Sequence, residues 1–342
     1  GIAQCDGAIL RPKKVFSLRK YIMEIIHSLQ ELPHSVRWVF AIGFFDGIHK
    51  GHQRVIGAAA ELAAKHQAQL GVITFYPHPL AVLEPVEQPP LLQSEEEKME
   101  CFRCMGIHLV IILKPTAFFL KQPPVEFLKS LESICCLKGL SAGENFTFGA
   151  GARGNPKLMK QYFSGKDVEI REVPLLRSPV LQGEPVSSTA IRMMIRQGEV
   201  DQASLLLGRL YSLQGIVAEG AGRGGAALGF PTANLSPQQN YVYPGDGVYA
   251  GWADIEHGHR YPAVINIGTN PTFRGSKRTV ETHILGYRGN LYGTSIHIFF
   301  VKKIRGEICF SSMEALKSQI GTDIQTAENI LDIHEGKMPK TR

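Results

Sequence analysis

From residue 38 onward the chain alternates short apolar runs with helix-patterned stretches, and no other feature limits its possible folds as much. The apolar runs fall at 38–44, 70–75, 109–113 and 137–142, with helical patterns at 51–66 and 125–135. Strand, helix and strand in succession return to one sheet by a crossover, so the pattern predicts a parallel sheet with helices on its faces. Within 51–66, Val55, Ile56, Ala59, Leu62 and Ala63 recur at helical spacing and predict a side that packs on that sheet.

After Arg192 the character changes. Segments rich in β-formers at 211–217, 248–255, 261–267, 279–285 and 295–301 are separated by Gly, Pro and Asn, which predicts a small antiparallel barrel. A closing helix over 312–331 carries Met313, Leu316, Ile320, Ile324, Ala327 and Ile330 toward one barrel face. The expected class is therefore α/β plus β. The expected division is an N-terminal extension at 1–36 with a helical pattern through 21–29, an α/β domain at 37–195, a linker at 196–207 and a barrel domain at 208–342.

A length of 342 residues suits two cores. With 44% hydrophobic and 20% charged residues, the composition is that of a folded chain and not of a disordered one. No apolar run approaches the roughly 20 residues of a membrane helix, and the first 36 residues hold no signal-peptide core. The net charge of +6 is spread in short basic groups, which suits polyanionic small substrates; neither nucleic acid nor membrane is expected as a partner, and the oligomeric state is open. Cysteines at 5, 101, 104, 135, 136 and 309 form no disulfide framework, so reduced thiols in the cytoplasm are expected. The Cys101-x-x-Cys104 pair lacks the second pair that a zinc site needs.

The densest chemistry lies in Gly43-Phe44-Phe45-Asp46-Gly47-Ile48-His49-Lys50-Gly51-His52, at a predicted strand end and helix start. Ligands of open α/β sheets bind there. His49 and His52 then flank a helix N-terminus whose free N–H groups and dipole favour an anion, and Gly51 lets a phosphate approach the backbone. Nucleotidyl transfer needs such donors around the α-phosphate and the departing pyrophosphate. The plainer alternative is that both histidines only cap the helix. Ser188 and Thr189 offer a helix cap and hydroxyls for phosphate, with the Arg192 fork one turn on.

No Walker loop occurs, yet Gly229-Phe230-Pro231-Thr232-Ala233-Asn234 follows a glycine-rich stretch. Thr232 and Asn234 lie two apart, so in an extended chain both face one side and can offer oxygens to a magnesium ion carrying ATP phosphates.

These strings bring families to mind. The segment Gly43 to His52 resembles the H-x-G-H nucleotidylyltransferases, in particular the FAD synthetase branch. The stretches Thr74-Phe75-Tyr76-Pro77-His78-Pro79, Gly143-Glu144-Asn145-Phe146-Thr147-Phe148-Gly149 and Ser187-Ser188-Thr189-Ala190-Ile191-Arg192 are similar to its further motifs, in order. The Pro-Thr-Ala-Asn string, Pro244-Gly245-Asp246-Gly247-Val248-Tyr249-Ala250, Asn266-Ile267-Gly268-Thr269-Asn270-Pro271-Thr272-Phe273 and Glu281-Thr282-His283-Ile284-Leu285 resemble the riboflavin kinase domain.

Together they resemble the prokaryotic bifunctional riboflavin kinase/FMN adenylyltransferases. That resemblance implies a Rossmann-like domain followed by a β-barrel kinase domain with a C-terminal helix. The substrates it implies are riboflavin, FMN and ATP; Mg2+ comes with ATP, and no cofactor is permanently bound. For the adenylyltransferase half it implies His49 and His52 as catalytic groups, Gly43, Phe44, Asp46, Gly51, Asn145, Ser188, Thr189 and Arg192 at ATP, and Pro77, His78 and Pro79 at the flavin. For the kinase half it implies Glu281 acting on the ribityl hydroxyl, Gly229, Pro231, Thr232 and Asn234 at ATP, Thr232 and Asn234 at the metal, and Arg305 and Glu307 at the flavin or its phosphate. Ala226, Asn155 and Asn290 depart from the family pattern. Two alternatives stand beside this reading: a working kinase with an inactive or regulatory adenylyltransferase half, and a flavin-binding regulator without turnover.

Overall fold

Every residue of strand β2 (Trp38–Ile42) is buried, and its side chains divide between two cores. Trp38, Phe40 and Ile42 belong to one apolar cluster and Val39 and Ala41 to another, as the two-residue period of a strand covered on both faces requires. The computed structural model of the chain describes residues 23–33, 35–77, 89–134, 136–218, 230–256, 259–272 and 275–337. Its described residues divide into two compact units, one within 23–89 together with 95–187, the other 90–94 and 188–337.

The first unit is a six-stranded parallel sheet in the order β1-β4-β3-β2-β5-β6. Besides β2 it contains β1 (Glu24–Ile26), β3 (Gln69–Phe75), β4 (Leu109–Leu113), β5 (Leu137–Gly143) and β6 (Glu169–Val173). Helices α1 (Lys50–His66), α2 (Glu95–Cys104), α3 (Ala117–Lys121), α4 (Pro124–Glu132) and α5 (Pro156–Tyr162) complete it. The five apolar residues expected to face the sheet from α1 are all buried. Asn155 caps α5 by accepting from the Leu158 N–H at 3.0 Å, a task an acidic residue would share, so that departure costs the helix nothing.

One expectation fails here. The helical pattern over 21–29 gives way to β1, which pairs in parallel with β4. Met23 and Ile26, three apart, read as one helix face, but in extended chain that spacing sends them to opposite faces, and they enter the two different cores. The proposed extension thus supplies an edge strand of the first sheet.

The second unit is a closed barrel in the order β10-β11-β8-β7-β12-β9, all neighbours antiparallel. Its strands are β7 (Tyr211–Ala218), β8 (Ala233–Pro237), β9 (Gly247–Glu256), β10 (His259–Thr272), β11 (Gly275–Ile284) and β12 (Ser295–Arg305). Residues 196–207, expected as a linker with a short helical pattern between Gly198 and Gly208, span the end of helix α6 (Ser188–Gln197) and helix α7 (Val200–Leu207). Val200, Ala203, Leu206 and Leu207 of α7 are buried and the helix packs on β12 and β7.

The closing helix α8 (Met313–Lys337) lies against the outer face of β9, β10 and β12, where Ala327 and Leu331 meet Val248, Ala250, Trp252 and Val264. It is pinned by an ion pair. Arg305 Nε and Nη2 donate to Asp323 at 2.9 and 2.7 Å, and Gln319 Nε2 donates to the same carboxylate at 2.9 Å. Removing one partner of a buried pair leaves the other desolvated and alone, at a cost of about 3–5 kcal/mol. Arg305→Ala should lower the stability of the second unit by about that amount, read from denaturant midpoints, because the Asp323 side chain is only 4% exposed. An unchanged midpoint would show that the pair does not anchor the helix.

Candidate functional site

In the first unit β3 and β4 follow β2 on one side, while β5 and β6 follow on the other. The crevice beyond the carboxyl ends of β2 and β5 is thus the topological switch point, where sheets of this kind bind ligands. The sequence places Gly43, Phe44 and Asp46 after β2 and Asn145 after β5, at these two adjacent strand ends.

The turn after β2 is strained. Phe45 (φ 52°) and Ile48 (φ 36°) are non-glycine residues in the left-handed region, with Gly47 at φ 79° between them. Packing holds them there: Phe45 and Ile48 are each 1% exposed, and the Phe45 ring meets Phe102 of α2 edge-on at 5.9 Å. Thr74 at the end of β3 donates its hydroxyl to the Phe44 carbonyl at 3.2 Å, which fixes the exit from β2.

The turn delivers His49 as the N-cap of α1, where Nδ1 accepts from the His52 N–H at 3.3 Å. A neutral imidazole that accepts at Nδ1 carries its proton at Nε2, so the donor of His49 is on its other ring nitrogen. The His49 and His52 rings stack at 3.7 Å and 17°. Burial, and then the neighbouring His49 and Lys98, hold the His52 pKa well below its ordinary 6.5. His52 Nδ1 is buried without a hydrogen-bond partner among the described residues.

Gly51 also has a packing task. A Cβ there would lie 3.0 Å from His49 Cε1 and 3.1 Å from its Nδ1, so the glycine makes room for the His49 ring. Capping and chemistry are not alternatives here, since the cap occupies Nδ1 of His49 and not Nε2.

The other expected residues of this half are placed as follows. Asn145 is exposed, in the turn after β5. Pro77 follows β3, while His78 and Pro79 lie outside the described residues. Ser188, Thr189 and Arg192 lie in α6 within the second compact unit, where Arg192 Nε donates to the Pro90 carbonyl at 2.7 Å. Cys101 and Cys104 lie on α2 and form no disulfide, and no group of three or more His, Cys, Asp or Glu able to hold a metal occurs among the described residues.

On the barrel, Ala233, Leu235, Ile265, Ile267, Val280 and Thr282 are buried and fill the interior, so the residues alternating with them face outward. Asn234 pairs with Glu281, and Glu281 pairs with Asn266, which sets three outward polar side chains in one row across β8, β11 and β10. Burial raises the Glu281 carboxyl above its ordinary value. Thr232, two residues before Asn234, is half-buried like it. The Pro231 carbonyl accepts from His283 Nδ1 at 2.8 Å, which ties this segment to β11. Gly229 lies outside the described residues, as does Ala226.

Glu307 approaches the same face: its Oε1 is 2.8 Å from where a Cβ of Gly268 would stand. Arg305 does not join it, because its guanidinium is engaged by Asp323 and the Gly306 carbonyl. Two residues of interest were missed from sequence. Asn266 becomes significant only once the strand register is known, and Lys98 only once α2 is seen to bury it. The one available signal for Lys98 was its position one turn before Phe102, on the face of α2 that packs inward.

A parallel sheet with paired histidines at its switch point, joined to a barrel with an acid set between two amides, defines a two-domain chain built around phosphate handling. Family models agree with both halves: FAD synthetase matches residues 32–190 and riboflavin kinase matches residues 207–331. Over 293 residues the chain is 34% identical to the bifunctional riboflavin kinase/FMN adenylyltransferase of Bacillus subtilis (strain 168), covering 84% of this chain and 91% of that protein. It is 31% identical over 309 residues to the protein of the same name from Escherichia coli (strain K12), covering 90% and 97%. A solved structure titled as a macrolide-efflux protein from Streptococcus pneumoniae superposes with a TM-score of 0.82 at 29% identity, covering 90% of this chain and 99% of that one. The chain belongs to the bifunctional riboflavin kinase/FMN adenylyltransferase family.

The buried His52 ring gives the first unit a pH dependence. The folded state resists protonating it, whereas the unfolded chain takes up the proton near 6.5. This contribution to stability is complete above pH 6.5 and declines as the pH falls toward the folded pKa. The melting temperature should therefore drop on acidification to about pH 5, and His52→Asn should flatten that slope. Equal slopes in the two proteins would contradict the assignment.

Proposed function

We propose that this chain makes FMN and FAD from riboflavin in two ATP-dependent steps, one in each half. In the barrel half the ribityl 5′-hydroxyl attacks the γ-phosphate of ATP, Glu281 takes the hydroxyl proton, and ADP leaves. A carboxylate whose pKa is raised by burial is a stronger base than one in water, which suits it to this role. Asn234 and Asn266 flank it and can orient the hydroxyl and the phosphate.

The fit of a magnesium ion to this half rests on its donor set. Thr232 and Asn234 offer two neutral oxygens on one side of an extended chain, beside the glutamate. Mg2+ prefers few protein oxygens together with water and substrate phosphate. Bound with ATP, the ion would neutralise charge building on the phosphates.

In the first half a phosphate oxygen of FMN attacks the α-phosphate of a second ATP, the Pα–O bond to the β-phosphate breaks, and pyrophosphate leaves. His49 donates through Nε2 to the phosphate oxygens at the start of α1, whose free N–H groups and dipole add to the same field. Neutral histidines do this without forming a covalent intermediate. Gly43, Phe44, Asp46, Gly51 and Asn145 line or shape the strand ends around them, and Ser188, Thr189 and Arg192 are taken as ATP contacts on the strength of the motif they form. Pro77, His78 and Pro79 are taken as flavin contacts, and Glu307 as one on the barrel. The reading sets the chain in the cytoplasm, with riboflavin, FMN and ATP as its partners and no role for nucleic acid or membrane. Among the described residues no helix is long and apolar enough to cross a membrane.

The observation that carries this reading is the conjunction, in one chain, of a stacked histidine pair at the sheet's switch point and a glutamate in register between two asparagines on a barrel wall. Purified protein with riboflavin, ATP and magnesium should yield FMN and then FAD by chromatography; the appearance of neither product refutes it. His49→Ala should cut FAD formation by about a hundredfold or more and leave FMN formation intact. That result also separates this reading from a kinase with an inactive first half. Glu281→Gln should do the reverse, with FAD still made from supplied FMN. Asn266→Ala should lower the kinase kcat by about tenfold to a hundredfold with little change in the KM for ATP, and unaltered turnover would remove it from the site.

A further inference from the structure

Lys98 is 6% exposed on α2, a place where an ammonium group is rarely found without a partner. One turn further on, Phe102 packs on Phe45, so this face of α2 meets the strained turn that delivers His49. Asp46 and His52 both lie close enough to interact electrostatically with the Lys98 ammonium. Its one ion-pair partner among the described residues is Glu95 at 3.8 Å, beyond hydrogen-bond length, and the Glu95 side chain is 40% exposed.

An ammonium has three donors and loses its hydration on burial, so the fold leaves these donors poorly used. His52 Nδ1, in the same neighbourhood, is buried and likewise lacks a partner. Two desolvated nitrogens beside the start of one helix, the Lys98 ammonium and His52 Nδ1 in the tautomer that carries its proton there, are both satisfied by an anion carrying several oxygens. A purely structural lysine would be expected to show the opposite: a short ion pair, or an ammonium reaching water.

We propose that Lys98 is a phosphate-binding residue of the adenylyltransferase half, gripping the part of the ATP triphosphate that departs as pyrophosphate. This rests on the functional reading above and extends it to a residue outside the H-x-G-H string. The assignment to the departing end follows from charge: bond breaking at the α-phosphate places new negative charge on pyrophosphate, where a fixed cation in a dry site is most effective. Burial lowers the Lys98 pKa, with Glu95 and then Asp46 opposing the shift, and a bound polyphosphate would oppose it further. Lys98 neither gives nor takes a proton in the reaction.

The test is Lys98→Met in the full chain, with Lys98→Arg beside it. Methionine fills the buried volume without a charge, so the melting temperature should hold or rise. In FAD formation from FMN, the KM for ATP should rise about tenfold or more, inhibition by added pyrophosphate should weaken to match, and the KM for FMN should stay within about twofold. Lys98→Arg should recover part of the ATP affinity, and riboflavin phosphorylation in the same preparation should be unaltered. A lowered melting temperature with an unchanged KM for ATP, or a rise confined to the KM for FMN, overturns the proposal. If wild-type protein itself makes no FAD, the functional reading fails and this inference with it. If wild type makes FAD and Lys98→Met equals it, only the inference fails.

Discussion

Two imidazole rings stacked at 3.7 Å cannot readily both carry charge in a buried site, and the chemistry of the first half follows from that restriction. Desolvation and the nearness of His49 keep His52 neutral. The cap hydrogen bond to Nδ1 of His49 then decides its tautomer and puts the ring proton on Nε2. In the proposed reaction a phosphate at the start of α1 would therefore meet donors already oriented, with no proton to shed or gain. Gly51 is part of the same device, since a side chain there would push the His49 ring off the helix.

The barrel solves its own problem by strand register. A closed barrel has no free edge, so its outward face can host a site only where no other element covers it. Helix α8, tied down by Arg305 and Asp323, covers the outer face of β9, β10 and β12 around Val248, Trp252 and Val264. Two residues past Val264 along β10 comes Asn266, and the row through Glu281 to Asn234 runs from there across β11 to β8. The Arg305 pair thus has a positional consequence beyond stability: it sets the border between the covered wall and the polar row.

Much of this was legible in the sequence, for physical reasons that can be named. The α1 face of Val55, Ile56, Ala59, Leu62 and Ala63 was readable because helical period and burial coincide there. His49, His52 and Glu281 could be singled out as candidates because local strings surround them. What escaped depended on distant pairing. Residues 24–26 gain their strand from β4, more than eighty positions away, which local spacing could not reveal. Residues 196–207 resembled a linker because the barrel strands that bury α7 follow it in sequence. Arg305 stood near Glu307 in the chain, yet its partner Asp323 comes from a helix that begins later.

The two halves illustrate opposite uses of burial. Removal from water makes the Glu281 carboxylate a better proton acceptor, so the same desolvation that would destabilise a structural glutamate suits the proposed step, which must strip a hydroxyl. Around His52 and Lys98, desolvation instead disfavours charge on the protein until an anion arrives. Phosphoryl transfer to an alcohol needs a base, because the nucleophile carries a proton. Adenylyl transfer to a phosphate needs none, because the nucleophile is already an anion; there the difficulty is to gather negative groups in one place. A carboxylate suits the first task and would repel the substrates of the second, which accounts for glutamate on the barrel wall and imidazoles at the sheet's switch point.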